Sequence, residues 1–274
     1  MFLPGCITFT PFPLYPHFSQ VDLPAWIFFT QNLNDMKHLF MPALLVCAWF
    51  LTSCGWRNVK GNGNLTPEGR NHTDFRSVKT AGAFDLEVKQ GSSFAVTVEA
   101  EENLLRYIET RVDKGVLRIY VRKGVRLRPR EDMKVYVTAP LFRELSIAGS
   151  GNITSVTTIV STESLAFTIT GSGDINIPSV DAPELRVKIA GSGNVRMSGQ
   201  TRKAEYRIAG GGDIRCSQLL AEEAAVHIAG SGNAWVFASE LLDVHIAGSG
   251  DVHYYGNPVT VKQKIAGSGR LLKE

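Results

Sequence analysis

The sequence predicts an all-β protein: a right-handed parallel β-helix-like solenoid with coils of about 20 residues, preceded by a strand-rich lead-in. Three observations carry that reading. One six-residue phrase recurs seven times, as IAGSGN from residue 147, ITGSGD from 169, IAGSGN from 189, IAGGGD from 208, IAGSGN from 228, IAGSGD from 246 and IAGSGR from 265. Successive copies start 18 to 22 residues apart. Around each copy, apolar and polar residues alternate with period two, the signature of a half-buried strand.

The chain has 274 residues, enough for one large or two small domains. Its formal net charge of +3 gives no basis for nucleic-acid binding. The four cysteines, Cys6, Cys47, Cys54 and Cys216, form no CxxC pair and no metal-type spacing.

Residues 36–54 read MKHLFMPALLVCAWFLTSC. A short basic start at Lys37 and His38 is followed by an apolar run, Leu39 to Leu51, that suits a signal-peptide core and is short for a membrane span. The run ends in Leu51-Thr52-Ser53-Cys54-Gly55, which resembles a bacterial lipobox: an aliphatic residue, two small residues, then the cysteine whose thiol takes the lipid. The expectation is a start at Met36, with 1–35 an upstream extension, 36–53 a lipoprotein signal peptide, and Cys54 lipidated. The competing reading is an uncleaved apolar anchor. Residues 54–74 are polar and rich in Gly and Asn, and are expected to be a flexible tether from lipid to fold.

Residues 75–145 form the lead-in. Phe84, Leu86 and Val88 alternate with Asp85, Glu87 and Lys89, Phe94, Val96 and Val98 with Ala95, Thr97 and Glu99, and Leu117, Ile119 and Val121 with Arg118, Tyr120 and Arg122. A basic run, Arg118, Arg122, Lys123, Arg126, Arg128 and Arg130, is compatible with an anionic lipid, lipopolysaccharide or acidic polysaccharide, or with a solvated hairpin, since Glu131 and Asp132 follow at once.

Residues 146–274 form the repeats. Aligned on the phrase isoleucine, the position two earlier reads Leu145, Phe167, Val187, Tyr206, Val226, Val244 and Gln263. Four earlier stand Arg143, Leu165, Leu185, Ala204, Ala224, Leu242 and Val261, and apolar columns run six and eight residues later, ending at Leu271 and Lys273. These columns are expected to point inward, with Cys216 a small core hydrophobe and the last coil a polar cap. The glycines mark a corner where coils approach closely.

A lipobox, a tether, this lead-in (AGAFDLEVKQG, ENLLRYIETRVDKGVLRIYV, MKVYVTAP) and the repeated corners together resemble the auto-transporter adhesin "head GIN domain" family of bacterial cell-envelope proteins. The resemblance covers about residues 75–270. It implies a β-helical fold and an adhesin role, and it supplies no catalytic residues.

Two outward columns carry the candidate sites. The residue before the phrase isoleucine gives a basic and histidine stripe, Lys188, Arg207, His227, His245 and Lys264, which reads as an anion- or glycan-binding strip or as a solvated face. Two stacked histidines without a third ligand, flanked by cations, argue against zinc. The sixth letter of the phrase gives a corner ladder, Asn152, Asp174, Asn194, Asp213, Asn233, Asp251 and Arg270. Alternation keeps carboxylates apart and sets an amide donor beside each. Asp follows Gly directly at these corners and the period is near 20, unlike nonapeptide calcium repeats, so no metal and no cofactor are expected. Trp235, His253, Tyr254 and Tyr255 offer either sugar stacking or packing of the last coils. The reading is a non-enzymatic envelope lipoprotein whose partners are a membrane, through its lipid, and a glycan or other envelope or host surface component. The alternative is a carbohydrate-active β-helix enzyme, which would need convergent carboxylates in a cleft. The oligomeric state is left open.

Overall fold

A computed structural model describes residues 57–274; the lipobox, Cys54 and the proposed leader lie outside the described residues. In chain order the elements are β1 (Arg57–Lys60), β2 (Leu65–Gly69), β3 (Ser77–Gly82), β4 (Phe84–Gln90), β5 (Ala95–Glu101), the single-turn helix α1 (Glu102–Leu105), β6 (Ile108–Asp113), β7 (Val116–Val121), β8 (Val125–Arg128), β9 (Met133–Ala139) and β10 (Glu144–Gly149). The repeats follow as β11 (Ile153–Ser155), β12 (Ile159–Val160), β13 (Leu165–Gly171), β14 (Ile175–Gly191), β15 (Val195–Gly210), β16 (Ile214–Gly230), β17 (Ala234–Phe237), β18 (Leu241–Gly248), β19 (Val252–Tyr255), β20 (Thr260–Gly267) and β21 (Leu271–Lys273).

Most of the strands stack as parallel rungs on three faces of a β-solenoid. On the first face the order is β7, β3, β10, β13, then the ends of β14, β15 and β16, then β18 and β20, every neighbour parallel. That is nine rungs, about 38 Å of stack at ~4.8 Å per step. The second face runs β9, β4, β11, the starts of β14, β15 and β16, then β17, β19 and β21. A shorter third face joins β12 to the middles of β14, β15 and β16.

Register is strict because the phrase is strict. Each phrase isoleucine lies on the next, and Ile147, Ile169, Ile189, Ile208, Ile228 and Ile246 are all buried in the interior. Burying each contributes about 2 kcal/mol. The corner explains the glycines. At Gly171, φ is 129°, and a Cβ there would lie 2.3 Å from the carbonyl oxygen of Gly149. At Gly173 a Cβ would lie 1.9 Å from the oxygen of Gly151. Both corner positions are therefore closed to any side chain by the rung beneath.

The structure differs from the sequence expectation at three places. Residues 57–69 hold two paired strands, β1 on β8 and β2 on β5, where a flexible tether was expected. Their backbone is fixed by Glu101, which is fully buried and accepts hydrogen bonds from the N–H groups of Gly63 (2.5 Å) and Arg130 (2.9 Å). The coil also begins earlier than residue 146: β3 with β4, and β7 with β9, are rungs of the same stack. Finally, Arg143 does not enter the inward column; it is exposed and pairs with Glu163, while Phe142 fills the interior. A guanidinium keeps its hydration where an apolar neighbour can take the core position.

Candidate functional site

The first face places the basic stripe in a single file. Lys188 lies beside Arg207, Arg207 beside His227, His227 beside His245, and His245 beside Lys264, each in direct register. Two residues on, the outward position of every one of these rungs is alanine: Ala190, Ala209, Ala229, Ala247 and Ala266. Long side chains beside a floor of methyl groups leave a shallow groove of about 460 Å³.

The charge of the stripe is less uniform than its spelling. The column two residues earlier carries acids. Glu205 accepts from the Nε of Arg207 at 2.6 Å, and Asp243 lies 3.1 Å from His245 Nε2. Burial, and then the nearby charge of Arg207, hold the His227 imidazolium below its ordinary range, so His227 is neutral near pH 7. Its ring stacks on His245 with centroids 5.1 Å apart. Among the described residues, Lys188 and Lys264 have no acid within ion-pair distance, and they bracket the groove. The register also extends the column, adding two cations, Lys79 and Arg118, that the phrase does not reveal. Thr168 and Ser146 precede Lys188, then come Lys79 and Arg118. Lys79 is tied to Glu144 at 2.7 Å.

The corner ladder is a chain of hydrogen bonds along the edge between the first two faces. Each corner backbone N–H donates to the side-chain Oδ1 of the rung before it: Asp174 to Asn152 (3.0 Å), Asn194 to Asp174 (2.7 Å), Asp213 to Asn194 (3.2 Å), Asn233 to Asp213 (3.0 Å), Asp251 to Asn233 (2.9 Å) and Arg270 to Asp251 (2.9 Å). A second donor is added only above an acid. Asn194 Nδ2 reaches Asp174 Oδ1 at 3.0 Å, Asn233 Nδ2 reaches Asp213 Oδ1 at 3.2 Å, and the Arg270 guanidinium reaches Asp251 Oδ2 at 2.6 Å. The series begins one rung earlier than the phrase does, at Asp85, which takes both the backbone and side-chain N–H of Asn152. The hydrogen bonds from Arg270 hold the Asp251 carboxyl below the usual carboxylate range, and Asp251 raises the Arg270 guanidinium in turn. These acids are committed to the ladder. Among the described residues no cluster of His, Cys, Asp and Glu side chains is arranged to hold a metal ion.

The aromatic residues of the second face form a column of their own. Arg215, Trp235 and His253 are in register, with the Arg215 guanidinium 5.5 Å from the Trp235 ring centre and the His253 ring 5.1 Å away on a nearly parallel plane. Rung stacking thus covers both faces of the indole and leaves its edge outward. A sugar ring stacks on a face, so this column does not offer what an isolated tryptophan would. Tyr254 packs against the interior. On the third face Asp181 and Glu222 line one groove, two rungs apart, and the Asp181 carboxylate accepts from the Gln200 amide at 3.0 Å. Cys216 is buried, and burial pushes its thiol up to about 12.

The fold and these surfaces define a parallel β-solenoid with regular, solvent-facing side-chain columns. The family model described as "Putative auto-transporter adhesin, head GIN domain" matches residues 74–258, and the chain belongs to that family. It is similar to the crystal structure of a putative adhesin from Bacteroides fragilis, with 21% identity, 79% of this chain and 100% of that chain covered, and a TM-score of 0.76. It is similar also to a putative lipid binding protein from Parabacteroides distasonis, at 27% identity, 80% and 100% coverage and a TM-score of 0.68. A putative adhesin from Parabacteroides merdae aligns at 22% identity over 80% and 99% of the chains, with a TM-score of 0.64. No curated protein matches the chain.

Proposed function

We propose that this chain is a cell-envelope lipoprotein, acylated at Cys54, that acts by binding rather than by catalysis and takes an acidic polysaccharide along the stripe of the first face. One observation carries the reading: Lys188, Arg207, His227, His245 and Lys264 stand in register above an alanine floor, with the two unpaired lysines at the ends. Rungs repeat every ~4.8 Å, so the groove presents a repeating surface to a repeating polymer. The family's adhesin description agrees with a binding role.

The test is the binding of polygalacturonate to the mature chain. Replacing Lys188, Arg207 and Lys264 with serine together is expected to weaken binding about tenfold or more, with the loss largest at low salt. Because His227 is held neutral, wild-type binding should tighten as the pH falls below the ordinary histidine range and His227 takes up its proton. Unchanged binding in the triple variant would reduce the stripe to a solvated face. Release of new reducing or unsaturated sugar ends would replace the binder with an enzyme. Acylation is tested separately by mass spectrometry of the mature chain. An unmodified Cys54 within an intact leader would remove the lipoprotein reading.

A further inference from the structure

We propose that the ribbon formed by β1 and β8 is a second binding surface, one that rests on anionic lipid headgroups and fixes how the solenoid stands on its membrane. This rests on the reading of Cys54 as the lipidated residue. β1 begins at Arg57, three residues beyond Cys54. Three extended residues span at most about 10 Å, so a lipid on Cys54 leaves the ribbon within that distance of the headgroups.

The ribbon is built to present charge in one direction. β1 and β8 pair in parallel, with Asn58 opposite Arg126, Val59 opposite Leu127 and Lys60 opposite Arg128. Val125 is buried and Leu127 half-buried against the core, so the alternate residues Lys60, Arg126 and Arg128 face outward and are exposed. Lys123 and Arg130 extend the exposed basic surface at either end of β8. Beside the ribbon, the guanidiniums of Arg57, Arg106 and Arg122 gather round the Tyr107 ring at 5.9, 5.0 and 5.9 Å. Of these cations Arg122 has an acid partner, Glu109 at 2.8 Å; among the described residues Lys60, Arg126 and Arg128 have none within ion-pair distance. Glu131 and Asp132 lie just past the ribbon's end and trim its charge without covering it.

The cations are held, not trailing. The Gly61 N–H donates to the Arg128 carbonyl at 3.0 Å, the Arg57 N–H to the Gly124 carbonyl at 2.9 Å, and Asn103 Nδ2 to the Lys60 carbonyl at 2.8 Å. A Cβ at Gly61 would fall 1.8 Å from the buried Glu101 carboxylate, so that turn is pinned as well. A rigid row of cations beside a membrane anchor meets an anionic surface at a fixed angle, whereas a flexible basic tail would not. A membrane suits this place better than a free polymer, because the anchor's reach keeps the ribbon at the bilayer.

The experiment uses the fragment from Gly55 to Glu274, which is a compact unit of its own. Its binding is measured to vesicles of phosphatidylcholine alone and to vesicles with about one third phosphatidylglycerol, by sedimentation at low salt. The expected result is binding to the anionic vesicles only. The variant Lys60→Ser/Arg126→Ser/Arg128→Ser should bind them on the order of 100-fold more weakly, at roughly fivefold for each cation. The variant Lys188→Ser/Arg207→Ser/Lys264→Ser should bind them as the wild type does. Failure of the fragment to bind anionic vesicles, equal binding by the ribbon variant, or loss of binding in the stripe variant alone would each overturn the proposal. The fragment lacks Cys54, so none of these outcomes depends on acylation, which the mass spectrum decides independently.

Discussion

The two ends of the stack are finished in opposite ways. At the first end the parallel rungs stop against antiparallel strands: β6 lies on β7, β5 on β9, and β2 covers β5. The helix α1 follows β5 directly, with Leu104 and Leu105 buried. At the other end, among the described residues, β20 and β21 have a neighbour on one side only. There Val259 is 87% exposed, Val261 43% and Ile265 37%, although Ile265 occupies the column in which the six preceding phrase isoleucines are at most 2% exposed. The same phrase is therefore core or surface according to whether a rung lies above it. What separates the ends is a reversal of chain direction. A parallel edge invites another parallel rung, and antiparallel strands with a helix beside them close it off. The bare edge is guarded by charge instead, with Lys262, Lys264, Arg270 and Lys273 on its last rung.

This comparison can be broken at the closed end first. Glu101→Ala leaves the N–H groups of Gly63 and Arg130 without their buried acceptor, and loosens the turn between β1 and β2 and the segment after β8. The expected loss is about 3 kcal/mol, read as a lower denaturant midpoint. A midpoint within experimental error of the wild type would mean that the closed end is held by packing alone.

A change in mid-stack should cost less. Asn194→Asp sets carboxylates at Asp174, 194 and Asp213 on consecutive rungs and removes the Nδ2 donor to Asp174. We expect about 1–2 kcal/mol, shrinking with added salt. Asp213→Asn keeps an acceptor for Asn233 and gives up one exposed ion pair with Arg215, so its cost should be close to zero. Equal, salt-independent effects of the two swaps would leave turn geometry as the sole reason for the column.

The open end should respond least, and its response should fade in acid. The folded-state pKa of Asp251 is depressed below its ordinary 3.8, so its contribution to stability is present above that value and fades as the pH falls through the folded pKa. Arg270→Ala should remove this contribution, leaving stability near neutral pH slightly reduced and the acid limb of the unfolding curve shifted to higher pH. An acid limb that superimposes on the wild type would show that the pair does nothing for the last rung.

Much of the solenoid was legible because seven phrases share one spacing, which sets register and inward columns together. The two earlier rungs were not. Thr80-Ala81-Gly82-Ala83-Phe84-Asp85 occupies the phrase's place in β3 and β4, but it keeps only the Ala-Gly step and the corner acid. Gly151 needs its missing side chain because the carbonyl of Phe84 lies beneath it; Phe84 itself lies over Met133 of β9, where no glycine corner presses, and its ring fills the core. Asp85, Lys79 and Arg118 were hidden with those rungs. The stripe's spelling was visible, but its charge depended on Glu205 and Asp243, a column apart, and on how far His227 is buried. The order of residues 57–69 was hidden for a similar reason. Gly61 and Gly63 read as flexibility, yet Gly61 makes room for the Glu101 carboxylate and Gly63 donates its N–H to it, from a partner about forty residues away.

The ladder also bears on how such a chain can lengthen. Copying a coil that ends in Asn adds a neutral step, whose amide can still donate to the oxygen below. Copying a coil that ends in Asp lays one carboxylate on another with no side-chain donor between them. Copying an adjacent pair, such as the coils of Asp174 and Asn194, preserves the donor over every acid wherever the pair is inserted between an Asn coil and an Asp coil. The smallest unit of growth that keeps the Asn/Asp alternation is therefore two turns of the solenoid, although the phrase itself recurs at every turn.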